Sequence, residues 1–188
     1  QPLGTFYGYV SEGVDPATGN IIYKDLDGSG DLSDGDKTII GNANPQFTYG
    51  FTNDFNYKNW SLNIFFQGVE GNEIFNASRI ETEGMYSGLN QLTTVLNRWT
   101  TPGQITDMPK ADFEGSQNVQ VSSRYVEDGS YLRLKAITIG YSLPESVLSK
   151  LSMSKVHLYI TAENLITWTK YTGLDPEVSV YGGSGSSD

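Results

Sequence analysis

The stretch from Gln46 to Lys58 reads QFTYGFTNDFNYK and decides the fold class. Apolar side chains recur at every second position, on a face that carries Phe47, Tyr49, Phe51, Phe55 and Tyr57. The opposite face carries Thr48, Gly50, Thr52, Asp54 and Asn56. Only Asn53 interrupts the apolar side. A period of two, sustained over this length, predicts a β-strand.

A second strand follows after a short turn. The Lys58-Asn59 step is predicted to close a hairpin, and Trp60–Val69 (WSLNIFFQGV) forms its second arm. Its apolar residues again alternate with polar ones, at Leu62, Ile64 and Phe66. The two arms together predict an antiparallel hairpin with one apolar face.

Two later segments carry the same alternation, Ser130–Leu143 (SYLRLKAITIGYSL) and Lys155–Thr169 (KVHLYITAENLITWT). In the first, the apolar residues change parity midway, so a β-bulge is predicted near Lys135 or Ala136. We expect an all-β antiparallel meander. Its lipid-facing or otherwise apolar side should carry Phe47, Tyr49, Phe51, Leu62, Ile64, Phe66, Ile137, Ile139, Leu158 and Ile160.

The composition leaves two kinds of all-β protein. The chain has 188 residues, one domain or a piece of something larger, with only 37% hydrophobic residues but 12% aromatic ones and 21 glycines. These values fit a secreted β-domain with exposed aromatics, such as a sugar binder, or a piece of an outer-membrane β-barrel. Soluble strands usually have about five or six residues and membrane-crossing strands about nine to eleven, so the long strands favour the membrane.

Several function classes are excluded. The net charge of −10 is unsuited to binding a nucleic-acid backbone. Without cysteine, disulfide scaffolds, thiol catalysis and Cys-ligated metals are ruled out. The single histidine, His157, is expected on the polar side of its strand. No apolar run is long enough for a transmembrane helix, and no signal peptide is visible at the N-terminus, as for a mature chain or an internal fragment.

The region from Glu70 to Glu127 is long and mostly not strand-like. Leu89–Trp99 (LNQLTTVLNRW) has apolar residues at helical spacing and is predicted to form one short helix. Pro144–Leu151 could form one or two helical turns or an irregular turn. Barrels have long extracellular loops and short periplasmic turns, so we expect Glu70–Glu127 to be an extracellular loop that meets a partner or substrate. The tail Tyr181–Asp188 is expected to be flexible.

The sharpest local motif is the acidic loop Asp25–Asp36 (DLDGSGDLSDGD). It has the spacing of a twelve-residue calcium loop, with Gly30 at the sharp turn and candidate ligands Asp25, Asp27, Ser29, Asp31 and Asp36. The flanks are strand-like rather than helical. A solvated acidic turn is the alternative. We favour a structural Ca²⁺ site over that turn, and over any catalytic role.

Other candidate sites have simpler explanations. Glu81 and Glu83 could be paired carboxylates, but surface acids explain them better. Trp60 and Trp168 lie at strand ends, where barrels place aromatic girdles, and this role is preferred to sugar stacking. No nucleophile, base and orienting group converge in the sequence, so we do not predict an enzyme.

Several segments together resemble the C-terminal part of SusC/RagA-type, TonB-linked outer-membrane transporters. They are the D-x-D-G-x-G loop, the NPQFTYGF strand, the FFQG step, the YLRLKAITIGY strand and the AENLITWTKYTGLDPE ending. They occur in the family's order and cover most of the chain. Any one of them alone would be a weak signal, but jointly they are specific.

The resemblance implies a 22-stranded transmembrane barrel with long extracellular loops in the outer membrane of a Gram-negative bacterium. It implies import of oligosaccharides or peptides with a SusD-like surface lipoprotein, and coupling to TonB through an N-terminal region. A plug, a TonB box and the terminal strand are not recognised, so residues 1–188 are expected to be one barrel segment of a longer transporter. The alternative is a soluble, calcium-stabilised, carbohydrate-binding β-sandwich.

Overall fold

The structure is a computed structural model that describes residues 2–113 and 117–177. The chain divides into two compact units. The first, here the loop unit, comprises Gln1–Asn44, Glu73–Asp128 and Tyr171–Asp188. The second, here the sheet unit, comprises Pro45–Asn72 and Gly129–Lys170. The tail Tyr181–Asp188, expected to be flexible, lies outside the described residues.

Strands dominate the described chain. They are β1 Thr5–Tyr9, β2 Ser11–Val14, β3 Ile21–Tyr23, β4 Lys37–Asn42, β5 Phe47–Tyr57, β6 Trp60–Glu70, β7 Glu73–Phe75, β8 Val126–Asp128, β9 Tyr131–Ser142 and β10 His157–Thr169. The helices are α1 Ser78–Glu83 and α2 Glu145–Leu148. Short 3-10 turns lie at Asp34–Asp36, Thr93–Asn97, Gln117–Val119, Ser123–Tyr125 and Ser149–Leu151.

The sheet unit is a four-stranded antiparallel sheet in the order β10-β9-β6-β5. Each strand pairs with the next sheet strand along the chain, so the predicted all-β antiparallel meander is confirmed. The four strands have 11, 11, 12 and 13 residues. These lengths suffice to cross a bilayer, which takes about nine to eleven tilted residues.

The predicted hairpin is present with the predicted turn. Tyr57 pairs with Trp60, leaving Lys58 and Asn59 as a two-residue connection. Lys58 occupies the left-handed region at φ 53°, as tight turns require of at least one residue. Opposed residues lie on the same face of an antiparallel pair, so this register places the aromatic residues of β5 beside the aliphatic ones of β6.

The predicted bulge is confirmed at Lys135. Phe65 pairs with Ala136 but Phe66 pairs with Leu134, so Lys135 is the extra residue on β9. The pairing of β10 with β9 shifts at the same level, where Asn164 has φ 52°. The extra residue restores the alternation, and the apolar side chains on both sides of it share one face.

The ten residues predicted for the apolar side all share one face of the sheet by register. Much of this face is open: Phe55 is 56% exposed and Ile160 is 74% exposed. The inner face of a β-sandwich would be covered by a second sheet. The exposure therefore speaks against the sandwich alternative.

The loop unit contains three two-stranded antiparallel sheets, β1-β4, β2-β3 and β7-β8. Its buried apolar residues include Tyr9, Ile21, Ile74, Met108 and Tyr125. The stretch from Glu70 to Glu127 is thus better packed than its sequence indicates.

The helices differ from expectation. The helix predicted for Leu89–Trp99 is wrong in extent, because only Thr93–Asn97 form a 3-10 turn. That turn has no side-chain cap, contains β-branched residues and buries none of its own residues, so little stabilises a longer helix. α2 follows Pro144 as one of the expected options. No helix in the described part of the chain is long and apolar enough to span a membrane.

Candidate functional site

The acidic loop lies between β3 and β4 in the loop unit. Side-chain oxygens of Asp25, Asp27 and Asp36 lie within 4.8 Å of one another, close enough to share one cation. Asp31 lies in the same loop but its carboxylate is outside this group. The Ser29 hydroxyl donates to the Asp31 carbonyl oxygen at 2.9 Å. The structure therefore brings three of the four predicted carboxylate ligands together.

The Asp36 carboxylate is buried and accepts hydrogen bonds from the backbone of the acidic loop. Asp36 is only 1% exposed. One carboxylate oxygen accepts hydrogen bonds from the backbone N–H groups of Leu26 (2.7 Å) and Asp27 (3.3 Å), and the other accepts from that of Ser33 (2.8 Å). These bonds close the loop on itself, so the carboxylate holds both of its ends.

Asp25 and Asp27 shape the exposed tip. Asp25 accepts hydrogen bonds from the backbone N–H groups of Gly28 (2.7 Å) and Gly30 (3.0 Å). Asp27 accepts from the Ser29 N–H at 2.9 Å and from the Ser33 hydroxyl at 2.7 Å. Gly30 has φ +81°, a left-handed conformation that favours glycine at such a turn.

The electrostatics of the group suit a cation. The hydrogen bonds from Ser33 and Ser29 lower the pKa of Asp27 to about 2. Backbone hydrogen bonds, led by that from Ser33, also hold the pKa of Asp36 below its usual value. None of the ion pairs among the described residues involves the three grouped carboxylates; Lys37 pairs instead with Asp34 at 2.6 Å. Anionic oxygens without a counter-charge are the ligand set that Ca²⁺ prefers.

A second polar cluster in the loop unit was missed by sequence reasoning. The Glu127 carboxylate accepts hydrogen bonds from Arg79 (3.1 Å), Asn76 (3.1 Å) and the Thr172 backbone N–H (2.8 Å). Arg79 also pairs with Glu83 at 2.8 Å, and Glu83 is buried. Glu83 is thus not the surface acid we expected. The spacing of four residues between Arg79 and Glu83 was the sequence signal that could have indicated this ion pair on a helix.

This cluster joins three separate stretches of chain. Arg79 belongs to α1, Glu127 to β8, and Thr172 to the segment after β10. Burial opposes ionisation of Glu127, but hydrogen bonds from Thr172, Asn76 and Arg79 outweigh it and hold the pKa of this carboxyl below its usual value. A charged carboxylate therefore positions the segment that follows β10.

The face of the sheet opposite to the apolar one is polar. Asp54, Asn63, Thr138 and Thr161 are aligned by register across all four strands. The Asn63 amide donates to Asp54 at 2.6 Å, and the hydroxyls of Thr138 and Thr161 are 2.9 Å apart. His157 lies on this face and contacts Ser142 at 3.0 Å, as predicted.

The apolar face carries aromatic residues at both ends. At one end, here the turn end, Trp60 lies beside Tyr141 with ring centroids 4.7 Å apart. At the other, here the loop end, Trp168 is aligned by register with Gly68 and Tyr49. At roughly 3.4 Å per residue, the two aromatic levels are about 27 Å apart along β6. Barrel strands are tilted by about 35 to 45°, so this separation corresponds to about 19 to 22 Å across the membrane, near the height of the apolar band of about 25 Å that aromatic girdles flank.

No protein-family model matches the chain. The TonB-dependent receptor P3 of Formosa agariphila is 39% identical over 95% of this chain. The TonB-dependent receptor SusC of Bacteroides thetaiotaomicron is 26% identical over 84% of it. The chain spans only 19% and 15% of these two receptors, respectively.

Solved structures show the same relationship. A chain of the RagAB peptide transporter matches 92% of this chain with a TM-score of 0.79 and 31% identity. Again, this chain covers only 20% of that one. The meander and its loops thus have the fold of a barrel segment in a much larger protein. The chain is therefore homologous to a segment of the SusC/RagA family of TonB-dependent receptors.

Proposed function

We propose that this chain forms four transmembrane strands and adjoining loops of a TonB-dependent nutrient importer in the outer membrane of a Gram-negative bacterium. The observation that carries the proposal is the two-faced sheet. Strands of 11 to 13 residues present an exposed apolar face on one side and a hydrogen-bonded polar face on the other. In the wall of a membrane barrel, the apolar face of the sheet is turned toward lipid and the polar face toward the lumen.

The connections suggest an orientation for the sheet. β5 and β6 are joined at the turn end by two residues, whereas β6 and β9 are joined at the loop end through Glu73–Asp128. Outer-membrane barrels have short periplasmic turns and long extracellular loops. We therefore place the loop end of the sheet, where this long connection begins and ends, on the outer side of the membrane, where cargo and partners arrive.

The loop unit is also the proposed place for a partner. Its described residues include apolar side chains that are almost fully open, such as Ile105 at 94% exposed and Leu96 at 75% exposed. We assign these to contact with a SusD-like surface lipoprotein and with an oligosaccharide or peptide cargo. A peptide is favoured by the structural match to a peptide transporter. Coupling to TonB would use a region outside this chain, and no enzymatic role is proposed.

The acidic loop is proposed to bind Ca²⁺ for structural reasons. Asp25, Asp27 and Asp36 supply carboxylates, Ser29 and Asp31 lie within the same loop, and a cavity of about 220 Å³ is lined by Asp25, Asp31 and Asp36. We assign no general base or nucleophile to this loop. The ion would order the loop rather than take part in chemistry.

The barrel proposal is tested by placing a charge on each face of β5 in the full-length receptor. A lysine near the bilayer midplane on the lipid side costs about 2 to 4 kcal/mol. Phe51→Lys should therefore lower the fraction of receptor that migrates as a folded, heat-modifiable barrel. Its matched control, Thr52→Lys on the polar face, should leave that fraction near wild type. Equal effects of the two changes would overturn the proposal.

The calcium proposal is tested by titrating the same receptor with Ca²⁺ after chelation and following protease resistance of the acidic loop. Binding to the folded state alone should protect the loop as calcium exceeds its dissociation constant. Asp25→Asn should abolish this protection. Asp34→Asn, in the same loop but paired with Lys37, should retain it. Protection independent of calcium in the wild type would leave only an acidic turn.

A further inference from the structure

The turn end of the sheet unit carries an apolar groove. It is lined on the apolar face by Trp60, Ile139, Tyr141, Leu158 and Ile160, and its volume is about 280 Å³. Three of these residues, Trp60, Tyr141 and Leu158, form one row across three strands. The groove thus opens on the proposed lipid-facing side, at the level of the aromatic girdle.

The rim beside this groove is cationic. Lys58 precedes Trp60 by two residues, and Lys155 precedes Leu158 by three. Lys150 lies in the connection between β9 and β10, where Glu145 is the one acidic residue. All three lysines are exposed. The Lys58 ammonium lies 5.3 Å from the centroid of the Tyr57 ring, so the positive charge is held at the girdle. This local excess contrasts with the net charge of −10 of the whole chain.

We propose that this groove and rim bind a phospholipid with an anionic head group. An acyl chain would lie along Trp60, Ile139 and Ile160, and the head-group phosphate would meet Lys58 and Lys155. The proposal rests on the barrel function proposed above, because only a membrane-embedded face meets lipid. A phospholipid fits both features at once, since its apolar chain and its anionic phosphate are joined at the depth where aromatic and basic residues meet.

The rim lysines predict the size of the head-group preference. Each lysine near an anionic membrane surface contributes about fivefold in affinity, and two contribute about 30-fold. Phosphatidylglycerol should therefore bind the receptor more tightly than zwitterionic phosphatidylcholine. The variant Lys58→Asn with Lys155→Gln should remove most of this difference. Asparagine suits the left-handed backbone at position 58 and avoids adding strain.

The experiment is a lipid titration of the full-length receptor in detergent, with bound lipids counted by native mass spectrometry. The matched control carries Lys24→Gln and Lys110→Gln, which remove two positive charges from the loop unit, and it should keep the preference. Ile139→Trp should fill the groove and weaken binding of both lipids. Phe47→Trp, on the same face but at the loop end of the sheet, should not.

The possible outcomes separate the two proposals. A receptor that folds as a barrel but binds both lipids equally, or keeps its preference without Lys58 and Lys155, overturns the lipid site alone. A receptor that does not migrate as a heat-modifiable barrel overturns the barrel function and the lipid site with it. A preference lost only in the rim variant, together with weaker binding after Ile139→Trp, supports the lipid site.

Discussion

The ring of Tyr49 on β5 covers the backbone of Gly68 on β6. The two residues are directly opposed, and a Cβ atom added at Gly68 would overlap the Tyr49 ring. Glycine normally weakens a strand interior, by about 0.5 to 1 kcal/mol relative to alanine. Here it makes room for an aromatic residue at the loop-end level of the apolar face.

This contact predicts that the effect of Gly68→Ala on the free energy of unfolding reverses its sign when the Tyr49 ring is removed. Gly68→Ala should lower the free energy of unfolding by about 1 kcal/mol, because the Tyr49 ring must move. In a Tyr49→Ala background, the same change should raise the free energy of unfolding, because alanine loses less backbone entropy on folding than glycine and no longer meets the Tyr49 ring. Urea unfolding of the receptor measures both. Gly88→Ala, where a Cβ meets open space, is the control and should show no such dependence on Tyr49.

The left-handed residue Asn164 gives a second prediction. It sits at the shift in the β10–β9 pairing with φ 52°, a conformation that asparagine and glycine tolerate. Asn164→Val should cost about 1 to 2 kcal/mol of unfolding free energy, whereas Asn164→Gly should be nearly neutral. Equal losses in the two variants, measured by urea unfolding, would show that the Asn164 side chain matters rather than its backbone.

The Glu127 cluster predicts a local loss of order. Glu127→Gln removes one of the two carboxylates that pair with Arg79. Because Arg79 keeps Glu83, the expected loss is that of a hydrogen bond to a charged group, about 1.5 kcal/mol. Since Glu127 also holds Thr172, cleavage by trypsin at Lys170 should become faster. Glu12→Gln, an exposed acid of the same unit, is the control. Unchanged cleavage after Glu127→Gln would mean that the remaining contacts suffice to hold this segment.

The sheet was predictable because its information is local. The alternation through Gln46–Lys58 determines which side chains share a face, and the parity change beside Lys135 reveals the bulge. Most of the segments that carry the family resemblance lie in the same strands. Period-two patterns survive in sequence because a slip of one residue would turn every apolar side chain to the wrong face.

The loop unit was not predictable in the same way because its contacts are non-local. The backbone N–H of Ile21 donates to the buried side chain of Asn118 at 2.8 Å, across 97 residues. No periodic pattern marks such a pair. In the acidic loop, spacing indicated a group of oxygens, but the anchoring bonds from Leu26 and Ser33 to Asp36 appear only in the structure.

The final prediction concerns how the order of the acidic loop depends on pH. The ordinary pKa of an aspartate, 3.8, falls to about 2 at Asp27 because Ser33 and Ser29 donate to the carboxylate. A pKa lowered on folding means that ionised Asp27 favours the ordered loop. This contribution is fully present above about pH 4 and is lost as the pH falls toward 2. Calcium binding needs the same ionised oxygens and should weaken in the same window.

Cleavage of the loop by pepsin between pH 2 and 5, normalised to an unstructured peptide, measures this effect. In calcium-free buffer, wild-type receptor should be cleaved progressively faster as the pH falls from 4 to 2. Asp27→Asn cannot ionise, so its cleavage should be fast at pH 4 already and should change less with pH. Asp34→Asn should follow the wild type, because Asp34 is outside the carboxylate group. A wild-type profile that is flat over this window, or identical to that of Asp27→Asn, would show that ionised Asp27 does not order the loop.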